Sequence, residues 1–253
     1  MNKKLIVANW KMNGNPKFIK EFFNVFTNYK INMDKGPEVV FCPPFPLLSM
    51  VKDFNLYKVG AQNCHDEQKG AYTGEVSSVL LNQLDIDYVI LGHSERRQYY
   101  REDNNIVCKK ASTAFDAGLL PIICVGETLA ERENNIYQDV ISKQIAESVP
   151  SNITAGKLVI AYEPVWSIGT GKVPKNEDIL EVFSIIRKEL SNNLSEDINQ
   201  VRILYGGSVN ASNCNLLKDI PYLDGYLVGS ASLKPTEFYS LVQSVSYTKS
   251  PSI

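Results

Sequence analysis

The chain has 253 residues, 44% hydrophobic and 21% charged, with a formal net charge of −2. That is enough apolar material for one large core, with no basic block to suggest nucleic acid or a membrane surface and no apolar stretch near the length of a membrane span. The five cysteines, Cys42, Cys64, Cys108, Cys124 and Cys214, are widely spaced without a C-x-x-C pair. This argues against a disulfide framework or a zinc site and for a reducing, cytoplasmic compartment. The apolar run after Met1 is too short for a signal peptide and leads directly into a strand.

Apolar, β-branched runs recur along the chain: Leu5 to Trp10, Glu38 to Cys42, Leu56 to Gln62, Tyr88 to Gly92, Leu119 to Val125, Leu158 to Tyr162, Val201 to Tyr205 and Gly225 to Val228. Continuous apolar runs of this length read as strands buried on both faces. Segments of helical period lie between them. Pro16 to Tyr29 puts Phe18, Phe22, Val25 and Phe26 on one face, and Glu177 to Leu190 does the same with Ile179, Leu180, Phe183, Ile186 and Leu190. Asn15-Pro16 and Pro235-Thr236-Glu237 are helix starts. Phe45 to Lys52 is the weakest helical segment, and the helix between Asn210 and Asp219 is short. Eight strands alternating with helices predict a parallel sheet. In this length they fit a closed (β/α)8 barrel forming one domain over residues 1–253, with a loose tail from about Thr248. An open doubly wound sheet would carry G-x-G-x-x-G after its first strand; here Asn9-Trp10-Lys11-Met12-Asn13-Gly14 follows.

Barrel chemistry sits at the carboxyl ends of the strands. Those ends carry Asn9 and Lys11, Gln62-Asn63, His93-Ser94-Glu95, Glu127, Glu163, Gly206-Gly207-Ser208 and Gly229-Ser230. Glycine-containing exits after the last two strands suit an anion such as a phosphate, because backbone N–H groups can approach it closely; tight turns are the plain alternative. Glu163 ends a buried strand beside Val165-Trp166-Ser167-Ile168-Gly169-Thr170-Gly171-Lys172, the pattern of a general base under a closing loop or of an acid capping a strand. That loop is not a Walker loop: Trp166 replaces its first glycine and Val173 its Ser or Thr. Of the two histidines, His93 shares a predicted face with Glu163 and Lys11, whereas His65 reads as a loop residue without metal-ligand spacing.

These segments carry a resemblance along nearly the whole chain. Asn9-Trp10-Lys11, Gln62-Asn63, Gly70 through Ser77, Gly92-His93-Ser94-Glu95-Arg96-Arg97, Cys124-Val125-Gly126-Glu127, Tyr162 through Trp166 with Ile168 through Lys172, Tyr205 through Val209, and Leu227-Val228-Gly229 with Ala231-Ser232-Leu233 follow one another in the order and spacing of the triosephosphate isomerase family. The resemblance implies a TIM barrel that interconverts dihydroxyacetone phosphate and glyceraldehyde 3-phosphate, in glycolysis and gluconeogenesis, without metal or organic cofactor. It implies Glu163 as the base, His93 as the neutral electrophile, Lys11 as the group offsetting phosphate and developing charge, and Asn9 as a donor to substrate oxygen. Backbone groups at Gly169, Ser208, Gly229 and Ser230 would hold the phosphate. Pro164 to Pro174 would be the lid, with Tyr205 and Ser208 bonding it when closed and Glu127 and Glu95 supporting the site. The loop around Thr73 would enter a neighbouring subunit, implying a homodimer.

Two positions depart from the family pattern. Ser230 stands where a second glycine is common, so its Cβ may crowd the phosphate. Lys172-Val173-Pro174 stands where Lys-Thr-Ala is frequent, and a proline, which fixes φ, would stiffen that hinge. Two other functions compete: a Schiff-base aldolase, for which Lys11 is the one plausible lysine at a strand end, and a non-catalytic binding protein, which has no need of Asn9, Lys11, His93 and Glu163 together.

Overall fold

A computed structural model of the chain describes residues 3–29, 31–32, 35–168, 174–194 and 197–246. The apolar runs form strands β1 Leu5–Asn9, β2 Glu38–Cys42, β3 Lys58–Ala61, β4 Tyr88–Leu91, β5 Leu120–Val125, β6 Val159–Tyr162, β7 Arg202–Tyr205 and β8 Leu223–Val228. Each pairs in parallel with the next, and β8 returns to β1 to close the barrel. Around it lie α1 Pro16–Phe26, α2 Leu48–Lys52, α3 Ser78–Gln83, α4 Ser94–Tyr100, α5 Asn104–Asp116, α6 Leu129–Glu133, α7 Tyr137–Ser148, α8 Asn176–Asn193, α9 Cys214–Leu217 and α10 Pro235–Ser246. None of the described helices is long and apolar enough to cross a membrane. The tail from about Thr248 lies outside the described residues.

Alternation along the strands divides the core in two. Leu5, Val7, Val40, Ile90, Ile122, Val159 and Leu204 belong to a cluster that fills the barrel. Their neighbours Ile6, Ala8, Val39, Phe41, Val89, Ile123 and Ile203 join a larger cluster with the helices. Both sides are apolar, which is why the strands read as unbroken runs.

Helix α1 begins where Asn15 caps it, its side chain accepting from the Phe18 N–H at 2.9 Å, with Pro16 at the first position. Its buried face is Ile19, Phe22, Phe23 and Phe26. The expected face is therefore rotated: Val25 is 43% exposed, and the helix stops at Phe26 rather than Tyr29. The cause is tertiary, since Trp10 and Phe41 stand over Phe22 and Phe23 and draw that side inward. Helix α8 buries Ile179, Val182, Phe183, Ile186 and Leu190, with Leu180 at the edge of the stripe. The weak segment Phe45 to Lys52 is a short 3-10 turn leading into α2.

Candidate active site

The carboxyl ends of the strands open on a cleft of about 420 Å³. Asn9, Lys11, His93, Glu163, Ser208, Gly229 and Ser230 all line it. Glu95, Glu127 and Tyr205 sit behind that lining, bonded to or packed against residues of the site or its loop. Thr73 is exposed and does not line this cleft. Gly169 lies outside the described residues.

At the end of β1, Trp10 is wholly buried, edge-on to Phe18, Phe22 and Phe41, with its indole N–H on the Ser232 carbonyl at 3.2 Å. Such aromatic pairs each contribute about 0.5–1.5 kcal/mol beyond area burial. This anchor holds Lys11 in a left-handed conformation, φ 52°, which costs an L residue about 1–2 kcal/mol. Two further bonds hold the bend: the Asn9 side-chain oxygen accepts the Lys11 N–H at 3.1 Å, and Gln62 donates to the Lys11 carbonyl at 2.8 Å. With its oxygen occupied, Asn9 offers its amide N–H groups to the cleft. Lys11 Nζ meets Glu95 at 2.5 Å. It is paired with a carboxylate rather than held in the apolar site a Schiff-base lysine needs.

Beyond β6, the Glu163 N–H donates to the Val125 carbonyl at 2.7 Å and the Val165 N–H to the Glu127 carbonyl at 3.0 Å. Two glycines fix the base between them. A Cβ on Gly126 would fall 1.7 Å from the Glu163 carbonyl oxygen, and one on Gly206 would fall 3.0 Å from Glu163 Cγ. Gln144 holds Gly126 by both backbone groups, at 2.7 and 3.1 Å. Glu163 is 2% exposed, so its ionisation is decided by its neighbours. Burial pushes its carboxyl up, but the His93 imidazole, at 2.9 Å from Oε1, and the Ser94 N–H, at 3.0 Å from Oε2, outweigh it and hold the group below its usual range. The buried Cys124 thiol, pushed well up by burial and then by this carboxylate, is a further hydrogen-bond neighbour.

His93 is the N-cap of α4, and its Nδ1 accepts the Glu95 N–H at 3.3 Å. The mobile proton of a neutral ring must therefore sit on Nε2, the nitrogen facing Glu163. Burial pulls the His93 pKa down, but contact with the Glu163 carboxylate raises it overall. That rise depends on the contact. Once the carboxylate leaves for a substrate carbon, burial and the Glu95 N–H remain, and both favour the neutral ring.

The loop after Glu163 starts with a 3-10 turn, Val165–Ser167. Trp166 donates to buried Glu127 at 2.9 Å, on the same oxygen that accepts Arg132 Nε at 3.0 Å and the Tyr162 hydroxyl at 3.1 Å. Ser208 Oγ donates to the Ser167 carbonyl at 2.6 Å. The Tyr205 hydroxyl, pushed up to about 12 by burial, lies against the Ser167 side chain. Residues 169–173, the expected glycine-rich half of the lid, are outside the described residues; Pro174 beyond them is buried. After β8, Gly229 leads into a 3-10 turn, Ser230–Leu233, and Ser230 is exposed. Cys42 and Cys214 are both buried.

Sequence reasoning found the groups at the strand ends but gave no role to Gln62, Gly126, Gly206 or the Ser94 N–H. A polar residue or glycine directly after an apolar strand was the available signal for the first three. A backbone N–H leaves no trace in a sequence.

The triosephosphate isomerase family matches residues 4–245. Triosephosphate isomerase of Dictyoglomus thermophilum is 45% identical over 96% of this chain and 100% of its own, and that of Bartonella bacilliformis is 43% identical over 94% and 95%. The crystal structure of triosephosphate isomerase from Bartonella henselae superposes with a TM-score of 0.87 at 36% identity, covering 96% of this chain and 99% of that one. With a closed eightfold barrel and this match along its length, the chain belongs to the triosephosphate isomerase family.

Proposed function

We propose that Glu163 is the base that carries a proton between the two carbons of the triose phosphate, with His93, Lys11 and Asn9 acting on its oxygens. The activity is the interconversion of dihydroxyacetone phosphate and D-glyceraldehyde 3-phosphate, an aldose–ketose isomerisation of glycolysis and gluconeogenesis. The observation that carries the residue assignment is the Glu163–His93 contact at 2.9 Å inside one cleft with Lys11 and Asn9.

The chemistry follows from that arrangement. A proton next to a carbonyl is lost only if the oxygen gaining charge meets donors already in place. Glu163 enters ionised and takes the proton from one carbon. His93, with its proton on Nε2, polarises the carbonyl as a neutral ring and passes protons between the enediol(ate) oxygens; this family is the standard example of that division of labour. Glu163 then returns the proton to the adjacent carbon. Lys11 offsets the phosphate and the developing charge, and Asn9 donates to substrate oxygen. The phosphate is held by backbone N–H groups at Gly169, Ser208, Gly229 and Ser230, with the Cβ of Ser230 narrowing that seat. The steps are proton transfers that side chains alone can perform.

Glu95 holds Lys11, Glu127 holds Trp166 at the lid's first turn, and Tyr205 and Ser208 bear on Ser167. The chain works as one barrel domain over residues 1–253 and as a homodimer in which the loop around Thr73 completes the neighbouring site. Exposed Met12 and Tyr72, at 94% and 45%, support a surface meant for a second copy. Free thiols at five positions support a cytoplasmic setting.

The test is a coupled assay on glyceraldehyde 3-phosphate with chelator present, plus borohydride with substrate. Rapid turnover without a trapped adduct is expected. A reduced adduct at Lys11 would favour the aldolase reading, and a folded, dimeric protein without turnover the binding-protein reading.

A further inference from the structure

A second cavity, of about 320 Å³, lies behind Glu163. Ser94, Gln98, Thr128, Glu131 and Gln144 line it, together with Val165, the first residue of the lid turn. Among the described residues, Glu163 is the one residue that lines both this cavity and the substrate cleft. Its two oxygens are divided accordingly. Oε1 meets His93, a residue of the cleft, at 2.9 Å, and Oε2 accepts the N–H of Ser94, a residue of the rear cavity, at 3.0 Å. The rear cavity has room for several water molecules and a polar lining able to give each of them its partners.

We infer that the rear cavity is a water port through which the proton held by Glu163 during turnover exchanges with solvent while the substrate cleft is covered. The inference rests on Glu163 being the base. Between the two half-reactions Glu163 is a carboxylic acid carrying the proton taken from substrate carbon. In heavy water the port allows one exchange: the Glu163 O–H proton leaves to water and a deuteron from water takes its place, with no bond to carbon made or broken. The enediol(ate) keeps its electrons, and the next step delivers either the original proton or the deuteron to the adjacent carbon. The fraction of deuterated product therefore reports the water that reaches Glu163 before collapse. Both ends of the port are built for this. Ser94 keeps one carboxylate oxygen on the rear side, and Val165 ties the rear wall to the loop that covers the front. A side effect of shutting the lid, loss of contact with bulk water, is then offset at one atom only.

Gln98 is exposed on α4 and makes no contact with the cleft, so it can be changed to fill or widen the cavity. The experiment runs isomerisation in heavy water with the wild type, Gln98→Phe and Gln98→Ala, scoring deuterium at the product carbon by mass spectrometry or NMR, alongside Glu163→Gln. Gln98→Phe should lower the deuterated fraction severalfold with kcat/KM within about twofold of wild type, and Gln98→Ala should raise it. A deuterated fraction unchanged by both substitutions overturns the port, because exchange then occurs from the front. Full turnover in Glu163→Gln overturns the base itself, a separate failure. Circular dichroism of each variant shows that the fold is intact.

Discussion

At the amino-terminal mouth of the barrel, Arg202 donates to Glu38 at 2.8 Å and to the Tyr88 hydroxyl at 2.7 Å, and Tyr88 donates to Glu38 at 2.9 Å. Nearby, Asp224 accepts from Arg187 at 3.2 Å and from the Ile203 N–H at 3.0 Å. At the carboxyl-terminal mouth, Lys11, His93, Glu95 and Glu163 also pair, but three of them line an open cleft and one, Lys11, has a left-handed backbone. The same barrel thus plugs one end with charges bonded to each other and leaves the charges at the other end able to change partners. Closed pairs of the first kind hold the fold. Pairs of the second kind break when a substrate arrives, and the barrel's apolar layers tolerate the strain.

The largest expected effect comes from the second kind. His93→Gln should lower kcat by about 10²–10⁴-fold, the usual range for a general acid–base group. It should also move the acid limb of kcat/KM. In the wild type, burial raises the Glu163 pKa and His93 with Ser94 lowers it below the ordinary 4.5, so the ionised base is lost only as pH falls through that depressed value. Without His93 the raising influence of burial gains weight, and the limb should shift to higher pH. An unmoved limb would mean that the contact does not set the ionisation. Next, Glu163→Asp withdraws the carboxylate by one methylene, and a displacement of about 1 Å can cost about 10²-fold; the fold should survive, and intact activity would remove the base assignment.

At the other mouth the signs reverse. Arg202→Leu leaves Glu38 without its partner, and breaking a largely buried pair costs about 3–5 kcal/mol. The melting temperature should fall while kcat of the folded enzyme stays unchanged. A large loss of kcat at constant stability would erase the distinction between the two ends. The smallest effect belongs to Pro174→Ala, which should loosen the lid's far hinge and change closure by a few-fold. Relaxation dispersion and steady-state rates would both have to stay constant for that stiffening to be dismissed.

Much of this was legible in the residues, and for an identifiable reason. A strand of a parallel barrel is buried on both faces, so β1 to β8 stood out as apolar runs whose polar termini carried Asn9, Lys11, His93 and Glu163. Helix faces were less legible: α1 turned Phe23 rather than Val25 inward because Trp10 and Phe41, remote in sequence, fill that side. What the site owes to contact between segments could not be read locally. The 1.7 Å approach that excludes a side chain at Gly126, the Gln62 bond that holds Lys11, and the division of the Glu163 oxygens between two cavities exist only once distant strands stand side by side. Motif order supplied the reaction; only the packing supplied the geometry by which it runs.

The most direct test of the account is the turnover of Glu163→Gln measured with its melting temperature. Gln keeps the shape of the side chain and an oxygen for the Ser94 N–H but cannot take a proton from carbon. The account predicts a folded protein of near wild-type melting temperature whose isomerase turnover has collapsed by several orders of magnitude. A stable variant that still turns over rapidly would contradict the claim that the carboxyl-terminal mouth works through the Glu163 carboxylate.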